Sequence, residues 1–351
     1  MGGNRRAMVR RLLAGAIAAA LATVPAARAP ADSDRQQALH FFRIGTGASS
    51  GSYFPMGGLL AGAISSPPGA RPCERGGSCG VPGLIAVAQA TQGSVENIEL
   101  IGKDQIESGL CQADIAFAAY RGVEPFARQP MPNLRVIASL YREALHIVVR
   151  ANSRIRSVAD LKGKTVSVGE ERSGTLVDAE AILNAYHLHR RDVHIEFLTP
   201  GQASDALREG RIDAFFLVAG APVLAITELA ESTAIRLLPV TGSALKPLRQ
   251  SHPFFGEMTI PAESYKGVPA TPTLSVGAEW VASAALDSDL VYGITKALWE
   301  KSTRKLLDSS LPEGRRIRLE SALEGLAVPL HPGAERYYRE VGLIKDSAVS
   351  Q

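Results

Sequence analysis

The sequence predicts an α/β protein with largely parallel sheets, and two observations support this fold class. Apolar runs of strand length alternate with segments of helix length along almost the whole chain. Gly- and Ser-rich turns separate several of these strands from the helices that follow them. There is no repeat of fixed period, so the pattern indicates successive α/β units rather than a repeat array.

The first 31 residues have the composition of a secretory signal peptide. Four Arg residues precede an apolar, Ala-rich run at residues 12–24, and small residues follow at 27–31. The run is too short to span a bilayer as a helix. We therefore expect residues 1–31 to be cleaved and the protein to be exported to the periplasm, with an uncleaved N-terminal anchor as the alternative.

Removal of this segment changes the charge of the protein. The chain has 38 Lys and Arg residues against 35 Asp and Glu. Residues 1–31 contain five of the Arg and no acid, which leaves 33 basic and 35 acidic residues and a formal charge of about −2. The basicity therefore gives no support for a nucleic-acid partner. No later apolar run reaches the roughly 18 residues of a membrane helix.

Two of the three cysteines lie close together in the sequence. Cys73 and Cys79 bracket a Glu-Arg-Gly-Gly-Ser segment, and an oxidising compartment allows them to form a disulfide. A metal site is the less favoured alternative, because it needs further ligands and none is evident nearby. Cys111 is left over beside an apolar run and is expected to be a small buried hydrophobe.

The N-terminal elements begin with a strand at 41–45, followed by a Gly/Ser turn and a helix. A Pro- and Gly-rich excursion at 66–82 carries the cysteine pair. The predicted strands of this part are 41–45, 84–89, 113–119 and 134–140, and the helices are 56–64 and 94–101.

A fresh α/β unit begins near His146, and the chain later returns to the first unit. Strands are predicted at 146–150, 165–168, 195–198, 214–218 and 235–238, and helices at 176–186, 204–209 and 223–230. An apolar run at 274–284 and helices near 289–305 and 332–340 follow. This order predicts an interrupted two-lobe architecture. Lobe I comprises residues 36–145 and 270–345, and lobe II comprises residues 146–269.

Four turns between a predicted strand and the next helix are candidates for ligand binding, at 45–53, 91–94, 173–175 and 219–222. In doubly wound sheets, ligands bind beyond the carboxyl ends of strands. Exposed N–H groups and the helix dipole there bind anions without a cationic side chain. Each turn alone is more typical of a plain helix cap. Two turns in each predicted lobe favour a ligand held from both sides.

An enzyme is the main alternative at this stage. Residues 47–51 read Gly-Ala-Ser-Ser-Gly and match the G-x-S-x-G nucleophile elbow. However, the match follows the first strand, whereas hydrolase elbows lie several strands into the sheet. The dinucleotide-binding fingerprint lacks its third glycine, and no H-E-x-x-H, P-loop or C-x-x-C motif occurs. We therefore expect no catalytic residues, no cofactor and no metal.

Several segments match, in order, a known family pattern. They include Thr-Gln-Gly-Ser at 91–94, Ser-Gly-Thr at 173–175 and Pro-Leu-His-Pro-Gly-Ala-Glu at 329–335. The matching segments are 44–58, 91–97, 112–114, 132–141, 158–169, 173–175, 212–220 and 329–338. Over residues 42–343 the chain resembles the TAXI family (TRAP-associated extracytoplasmic immunogenic proteins). These are the solute receptors of tripartite ATP-independent periplasmic (TRAP) transporters.

The resemblance implies a type II periplasmic-binding-protein fold, with two lobes joined by a hinge and the ligand in the cleft. It implies a monomer that delivers a small carboxylate, such as glutamate or 2-oxoglutarate, to TRAP permease subunits. A sensory module that contacts a receptor kinase is the alternative. The ligand-facing positions that carry over are Ser49, Ser50, Gly51, Tyr53, Thr91, Gln92, Gly93, Ser94, Gln112, Ser173, Gly174, Thr175, Ala219 and Gly220.

The sequence departs from the family pattern at three places. Ala48-Ser49-Ser50 replaces part of a first turn that is usually Thr-Gly-Gly-rich. Glu170, Glu171 and Arg172 precede Ser173, where small residues or Pro are common. A glutamate in the cleft would repel a second carboxylate on the solute, and we expect both glutamates at the surface. Arg142 stands where Pro is common and is either a carboxylate clamp or, as we favour, a solvated hinge arginine.

Overall fold

The structure, a computed structural model, describes residues 39–345 of the chain, so the predicted signal peptide at 1–31 lies outside it. The strands are β1 (His40–Gly45), β2 (Ser65–Ser66), β3 (Val81–Pro82), β4 (Leu84–Gln89), β5 (Ser108–Gln112), β6 (Leu134–Arg150), β7 (Thr165–Ser167), β8 (His194–Glu196), β9 (Ala214–Ala219), β10 (Ile235–Leu237), β11 (Gly256–Ile260) and β12 (Thr271–Ser283). The helices are α1 (Tyr53–Ile64), α2 (Ser94–Gly102), α3 (Ala113–Arg121), α4 (Gly174–Ala185), α5 (Pro200–Glu209), α6 (Leu224–Ser232), α7 (Leu245–Ser251), α8 (Ser288–Leu298), α9 (Lys301–Ser310) and α10 (Pro332–Glu340).

Two long antiparallel strands, β6 and β12, run through the middle of the main sheet. The order of the sheet is β4-β1-β5-β12-β6-β9-β7-β8, with β10 paired to β6 and β11 to β12. On one side β4, β1 and β5 are parallel, and on the other side β9, β7 and β8 are parallel. Each parallel block is built from strands that alternate with helices along the chain. The predicted α/β fold class is confirmed.

The segment 113–119 forms helix α3, so the predicted strand there was wrong. The strand lies just before it, at β5, whose five residues Ser-Gly-Leu-Cys-Gln are all buried. A short apolar run does not by itself distinguish a strand from a buried helix. The sequence of β5 does not indicate a strand, because β5 contains no β-branched or aromatic residue.

The predicted strands at 134–140 and 146–150 are one continuous strand, β6, of 17 residues. Residues 141–145, which the prediction left between two strands, continue the ladder with β12 and β9. The strand therefore connects the two parallel blocks of the sheet without a break. This continuity places the polar residue Glu143 in the interior of the sheet.

The buried apolar side chains form two groups of clusters, which we name core group 1 and core group 2. Core group 1 is drawn from residues 42–141 and 278–338, and includes Trp280. Core group 2 is drawn from residues 144–276, with Ala113 added from α3. The described residues belong to one compact unit. The lobe boundaries therefore stay a prediction.

The cysteines adopt the arrangement expected from the sequence. Cys73 and Cys79 form a disulfide with their Cα atoms 4.7 Å apart, which confirms the predicted pair. Cys111 is buried in β5 as a free thiol. Between residues 39 and 345 no group of three or more His, Cys, Asp or Glu side chains is arranged to hold a metal ion. In the same part of the chain, no helix has both the length and the apolar character needed to cross a bilayer.

Candidate ligand-binding site

A pocket lies between the two core groups, at the carboxyl ends of the parallel strands. Its wall is formed by the segments that follow β1, β4 and β7, together with the last residues of β5 and β9. The pocket opens to solvent and encloses a cavity volume of about 60 Å³. Loops at this edge of a parallel sheet meet in space although they are far apart in sequence.

Four helices begin at the wall of the pocket. The first residues of α1, α2, α4 and α5, namely Tyr53, Ser94, Gly174 and Pro200, all line it. The N–H groups of a first helical turn lack intrahelical acceptors, and the helix dipole makes this end electropositive. The N-cap residues of α1 and α2 provide no side-chain cap. In α5 the first-turn donors are already used, because Pro200 has no N–H and the N–H groups of Gly201 and Gln202 donate to side-chain hydroxyl groups. The pocket therefore offers hydrogen-bond donors of α1, α2 and α4 to an anionic group.

Most of the positions predicted to face a ligand lie together in this wall. They are Gly51, Tyr53, Gln92, Gly93, Ser94, Gln112, Ser173, Gly174, Thr175 and Ala219. The hydroxyl groups among them also stabilise the local structure. Ser173 Oγ caps α4 by accepting a hydrogen bond from Leu176 N at 3.1 Å, and Thr175 Oγ1 accepts one from Val218 N at 3.1 Å.

Four predicted positions, Ser49, Ser50, Thr91 and Gly220, do not line the pocket. Ser49 is exposed in the turn before α1. Ser50 Oγ accepts a hydrogen bond from Gly201 N at 3.0 Å, so it contacts the start of α5 instead. Thr91 Oγ1 is 2.7 Å from Asn97 Oδ1 and donates to it.

Gly220 packs closely against the Glu313 side chain. A Cβ atom at this position would lie 2.3 Å from Glu313 Cγ, so the backbone fits against that side chain only because Gly has no Cβ. Gly220 N donates to Ser52 Oγ at 3.4 Å. Gly220 therefore contacts Glu313 and Ser52 and does not line the pocket.

Glu143 and Glu170 line the pocket, although neither was predicted from the sequence to do so. Glu143 was missed because the strand prediction broke at 141–145. One feature of the sequence could have identified Glu143: it is a single acid within a mostly apolar segment. An acid buried in such a segment needs a specific partner. The expected surface position of Glu170 was wrong, because the residue is half-buried in the wall. Glu171 is exposed, as expected.

Glu143 is held at the floor of the pocket by hydroxyl groups. Tyr53 Oη donates to its Oε2 at 2.6 Å, and Ser52 Oγ donates to its Oε1 at 3.4 Å. Only 1 % of the residue is exposed. Burial raises the pKa of Glu143 to about 8, because removal from water disfavours the carboxylate. At neutral pH this side chain is therefore largely a neutral acid.

Glu170 has a different environment. Burial, with a smaller contribution from the charge of Glu96, raises its pKa to about 7. Within residues 39–345 its carboxylate has no hydrogen-bond or ion-pair partner. The neighbouring cation, Arg172, instead binds Glu96 and Glu99 on α2. The described wall of the pocket contains no Lys, Arg or His.

Polar contacts across the pocket join segments of the two core groups. The Arg172 guanidinium donates to Glu96 and, at 3.0 Å, to Glu99 Oε2. Arg172 N donates to Gln92 Oε1 at 3.1 Å. Gln112 Nε2 donates to Asp178 Oδ2 at 2.6 Å. The segment before α4 is therefore bonded to α2, and α4 itself to β5, beside the pocket.

Arg142 does not belong to the pocket. Its guanidinium donates to Ser275 Oγ at 2.8 Å and to the Ser275 carbonyl at 3.0 Å. The residue is exposed on β6, where it pairs with β12. The structure therefore supports the hinge position and not the carboxylate clamp.

The fold is that of an α/β protein with a pocket at the carboxyl ends of its parallel strands, between the two core groups. The model of the NMT1-like family matches residues 44–342, and the chain belongs to that family. A putative aliphatic sulfonates-binding protein of Escherichia coli (strain K12) is 33 % identical over 122 residues. That alignment covers 35 % of this chain and 34 % of the relative, so the chain matches about a third of the relative's length.

Solved structures with a similar arrangement include two sulfonate-binding proteins. The periplasmic aliphatic sulphonate binding protein SsuA from Escherichia coli has 16 % identity and a TM-score of 0.41, over 86 % of this chain and 83 % of that one. The alkanesulfonate-binding protein SsuA from Xanthomonas axonopodis pv. citri, bound to MOPS, has 18 % identity and a TM-score of 0.45, over 86 % and 84 %.

Proposed function

We propose that the protein is the extracytoplasmic solute-binding subunit of a transporter, which holds the anionic group of a small organic acid in the pocket. The observation that carries the proposal is the convergence of the N-termini of α1, α2 and α4 on one pocket between the core groups. Such ends bind carboxylate, sulfonate or phosphate through backbone N–H groups.

The arrangement of the chain supports trapping by two lobes. In this proposal, residues 36–145 and 270–345 form one lobe and 146–269 the other, with β6 and β12 as the connecting strands. The division of the buried side chains into two core groups supports these boundaries. The contacts of Arg172 with Glu96 and Glu99 are those of a closed state.

The same observations argue for binding rather than hydrolysis. Ser49 and Ser50, the serines of the elbow-like sequence, do not line the pocket, and Ser50 Oγ is bonded to Gly201 N. No histidine lines the described pocket wall to act as a base. We therefore assign no catalytic step to this protein.

The type of transporter follows from the resemblance to TAXI receptors, which favours delivery to a TRAP permease in the periplasm after cleavage of residues 1–31. The name of the Escherichia coli relative supports sulfonates as a second class of anion. Uptake in vesicles that contain the cognate permease distinguishes the transporter types. A TRAP system requires an ion gradient and continues without ATP, whereas an ATP-driven system stops when ATP is withdrawn.

Ligand binding is tested by thermal unfolding of the mature chain against small carboxylates and sulfonates. A ligand at 100 times its Kd should stabilise the protein by about 2.7 kcal/mol. Ala48→Phe, which adds a ring at the wall, should abolish this stabilisation. Ser49→Phe, the matched change at the next residue outside the pocket, should preserve it. The proposal fails if no acid shifts the Tm, or if Ala48→Phe binds as well as the parent.

A further inference from the structure

We propose that the protein has a second binding site, which holds an organic acid with an apolar body through the guanidinium groups of Arg142 and Arg316. The site is a cleft beside β6 and β12, which we name the arginine cleft. Its wall is formed mainly by residues 139–142, 253–254, 258–261 and 324–326, together with Arg316. This inference goes beyond the function proposed for the pocket and does not depend on it.

The arginine cleft is separate from the ligand-binding pocket. Among the residues that the structure describes, the two walls have none in common. Arg142 and Glu143 are neighbours on β6, but Arg142 lines the cleft whereas Glu143 lines the pocket. Successive side chains of a strand point to opposite faces of the sheet, which explains this division. The cleft encloses about 580 Å³, a volume within the range of small-molecule sites.

The cleft has an apolar surface to which both core groups contribute. Leu326 packs against core group 1, whereas Phe254 and Met258 pack against core group 2. All three side chains line the cleft and are only partly buried. Removing such surface from water is favourable, so the apolar body of a ligand gains free energy by covering it.

The charge of the cleft wall favours an anion. Arg142 and Arg316 are its two cations, and Glu324 is the one acid among the described residues that line it. Between residues 39 and 345, neither arginine forms an ion pair with a carboxylate. A carboxylate bound here would therefore meet two guanidinium groups that no protein carboxylate neutralises.

Both guanidinium groups are oriented by the protein and keep donors for a ligand. Arg142 Nε and Nη2 donate to Ser275 Oγ at 3.0 and 2.8 Å, and Arg316 Nη2 donates to the Ala221 carbonyl at 3.2 Å. Nη1 of each arginine, and Nε of Arg316, donate to no group in the part of the chain that the structure describes. Because the two side chains are already held, binding immobilises them at a lower cost in entropy.

The test compares three small molecules by isothermal titration of the mature chain. Octanoate has a negative charge and an apolar body, octanamide has the same body without the charge, and acetate has the charge without the body. Octanoate should bind at one site, at least about tenfold more tightly than either of the others, as expected for charge-assisted hydrogen bonds together with apolar burial. The proposal is overturned if octanoate does not bind, or if octanamide or acetate binds as tightly.

Variants locate the octanoate that binds. Arg316→Gln should weaken its binding at least about tenfold. Arg315→Gln is the matched control, because it removes the same charge from an adjacent, exposed residue that does not line the cleft, and it should keep the affinity. Ala48→Phe, which obstructs the pocket, should keep the affinity as well. Equal affinities of Arg316→Gln and Arg315→Gln, or loss of octanoate binding in Ala48→Phe, would overturn the arginine cleft as the site. The three ligands compared on the parent decide the ligand class even where a variant does not fold.

Discussion

Asp114 on α3 and Asp178 on α4 form a pair of buried carboxyl groups that act on each other in the interior of the protein. In each residue Oδ1 is buried and has no hydrogen-bond partner within the described residues. Burial disfavours the charge of each group and the charge of one disfavours that of the other, so the pair binds a proton. Burial and the charge of Asp114 raise the pKa of Asp178 well above its usual range. The pair links a helix of core group 1 to a helix of core group 2.

Replacing Asp178 by Asn should make this link independent of pH. The Asn oxygen accepts from Gln112 Nε2, and the Asn amide donates to Asp114 in place of the shared proton. The native pair binds a proton that the unfolded chain releases above about pH 4. Its contribution to stability is therefore complete below that pH and is lost as the pH rises through the raised pKa.

The free energy of unfolding of Asp178→Asn, relative to the parent, should thus increase between pH 5 and 9, by up to about 1.4 kcal/mol per pH unit. Urea unfolding at several pH values measures it. Glu143, Glu279 and His252, which also act on the pair electrostatically, are present in both proteins. Asp205→Asn, at an exposed position of α5, should show no such trend. Parallel pH profiles for Asp178→Asn and the parent would contradict the shared proton.

Removing the Tyr53 hydroxyl should destabilise the protein. Tyr53→Phe leaves Oε2 of the buried Glu143 without its donor at 2.6 Å. Loss of a donor to a buried polar group costs about 1–3 kcal/mol. Chemical denaturation measures the loss. Tyr120→Phe is the matched control, because that partly buried tyrosine makes no described hydrogen bond, and it should change stability by less than about 0.5 kcal/mol. Equal losses for the two variants would argue against the Glu143 contact.

Arg172 and Glu96 should show energetic coupling across the pocket. Their ion pair is partly exposed, with 38 % and 15 % of the side chains accessible, so solvent screens it. A double-mutant cycle with Arg172→Gln and Glu96→Gln should give a coupling of about 0.5–1 kcal/mol in unfolding. The coupling should fall in 1 M NaCl. The Arg208–Asp205 pair within α5, more exposed at both side chains, serves as the reference and should couple less strongly. If the coupling of Arg172 to Glu96 is no larger than this reference, the ion pair does not stabilise the closed state.

Gly174 and Gly58 should respond in opposite directions to substitution by Ala. A Cβ at Gly174 would lie 1.4 Å from Gln112 Oε1 and 2.9 Å from Ser94 Oγ, which forces Gln112 away from Asp178. We expect a loss of about 1–3 kcal/mol from this overpacking. Gly58 is exposed in α1 and a Cβ there meets nothing within 4 Å, so Ala should stabilise the helix by about 0.5–1 kcal/mol. Thermal unfolding of the two variants measures both changes in stability. A raised Tm for Gly174→Ala would refute the close packing at Gly174.

Features that depend on local chemistry could be predicted from the sequence. The turns at 91–94 and 173–175 have residues that cap helices, and the geometry of a parallel sheet brings such turns to one edge. Most of the positions chosen there therefore line one pocket. The prediction failed at α3, where a run of seven residues, all apolar except Asp114, was compatible with either a strand or a helix, and only packing selected the helix.

By itself, the sequence determined the α/β class, the disulfide between Cys73 and Cys79, and the turns that begin the helices, because each depends on residues close together in the chain. The tertiary structure decided which acids are buried and which partners they have. Glu143 meets Tyr53 across 90 residues, and Gln112 meets Asp178 across 66. The charge of a carboxyl group depends on its distance from water and from other charges. Both are properties of the folded chain, which is why the acidic character of the pocket emerged only there.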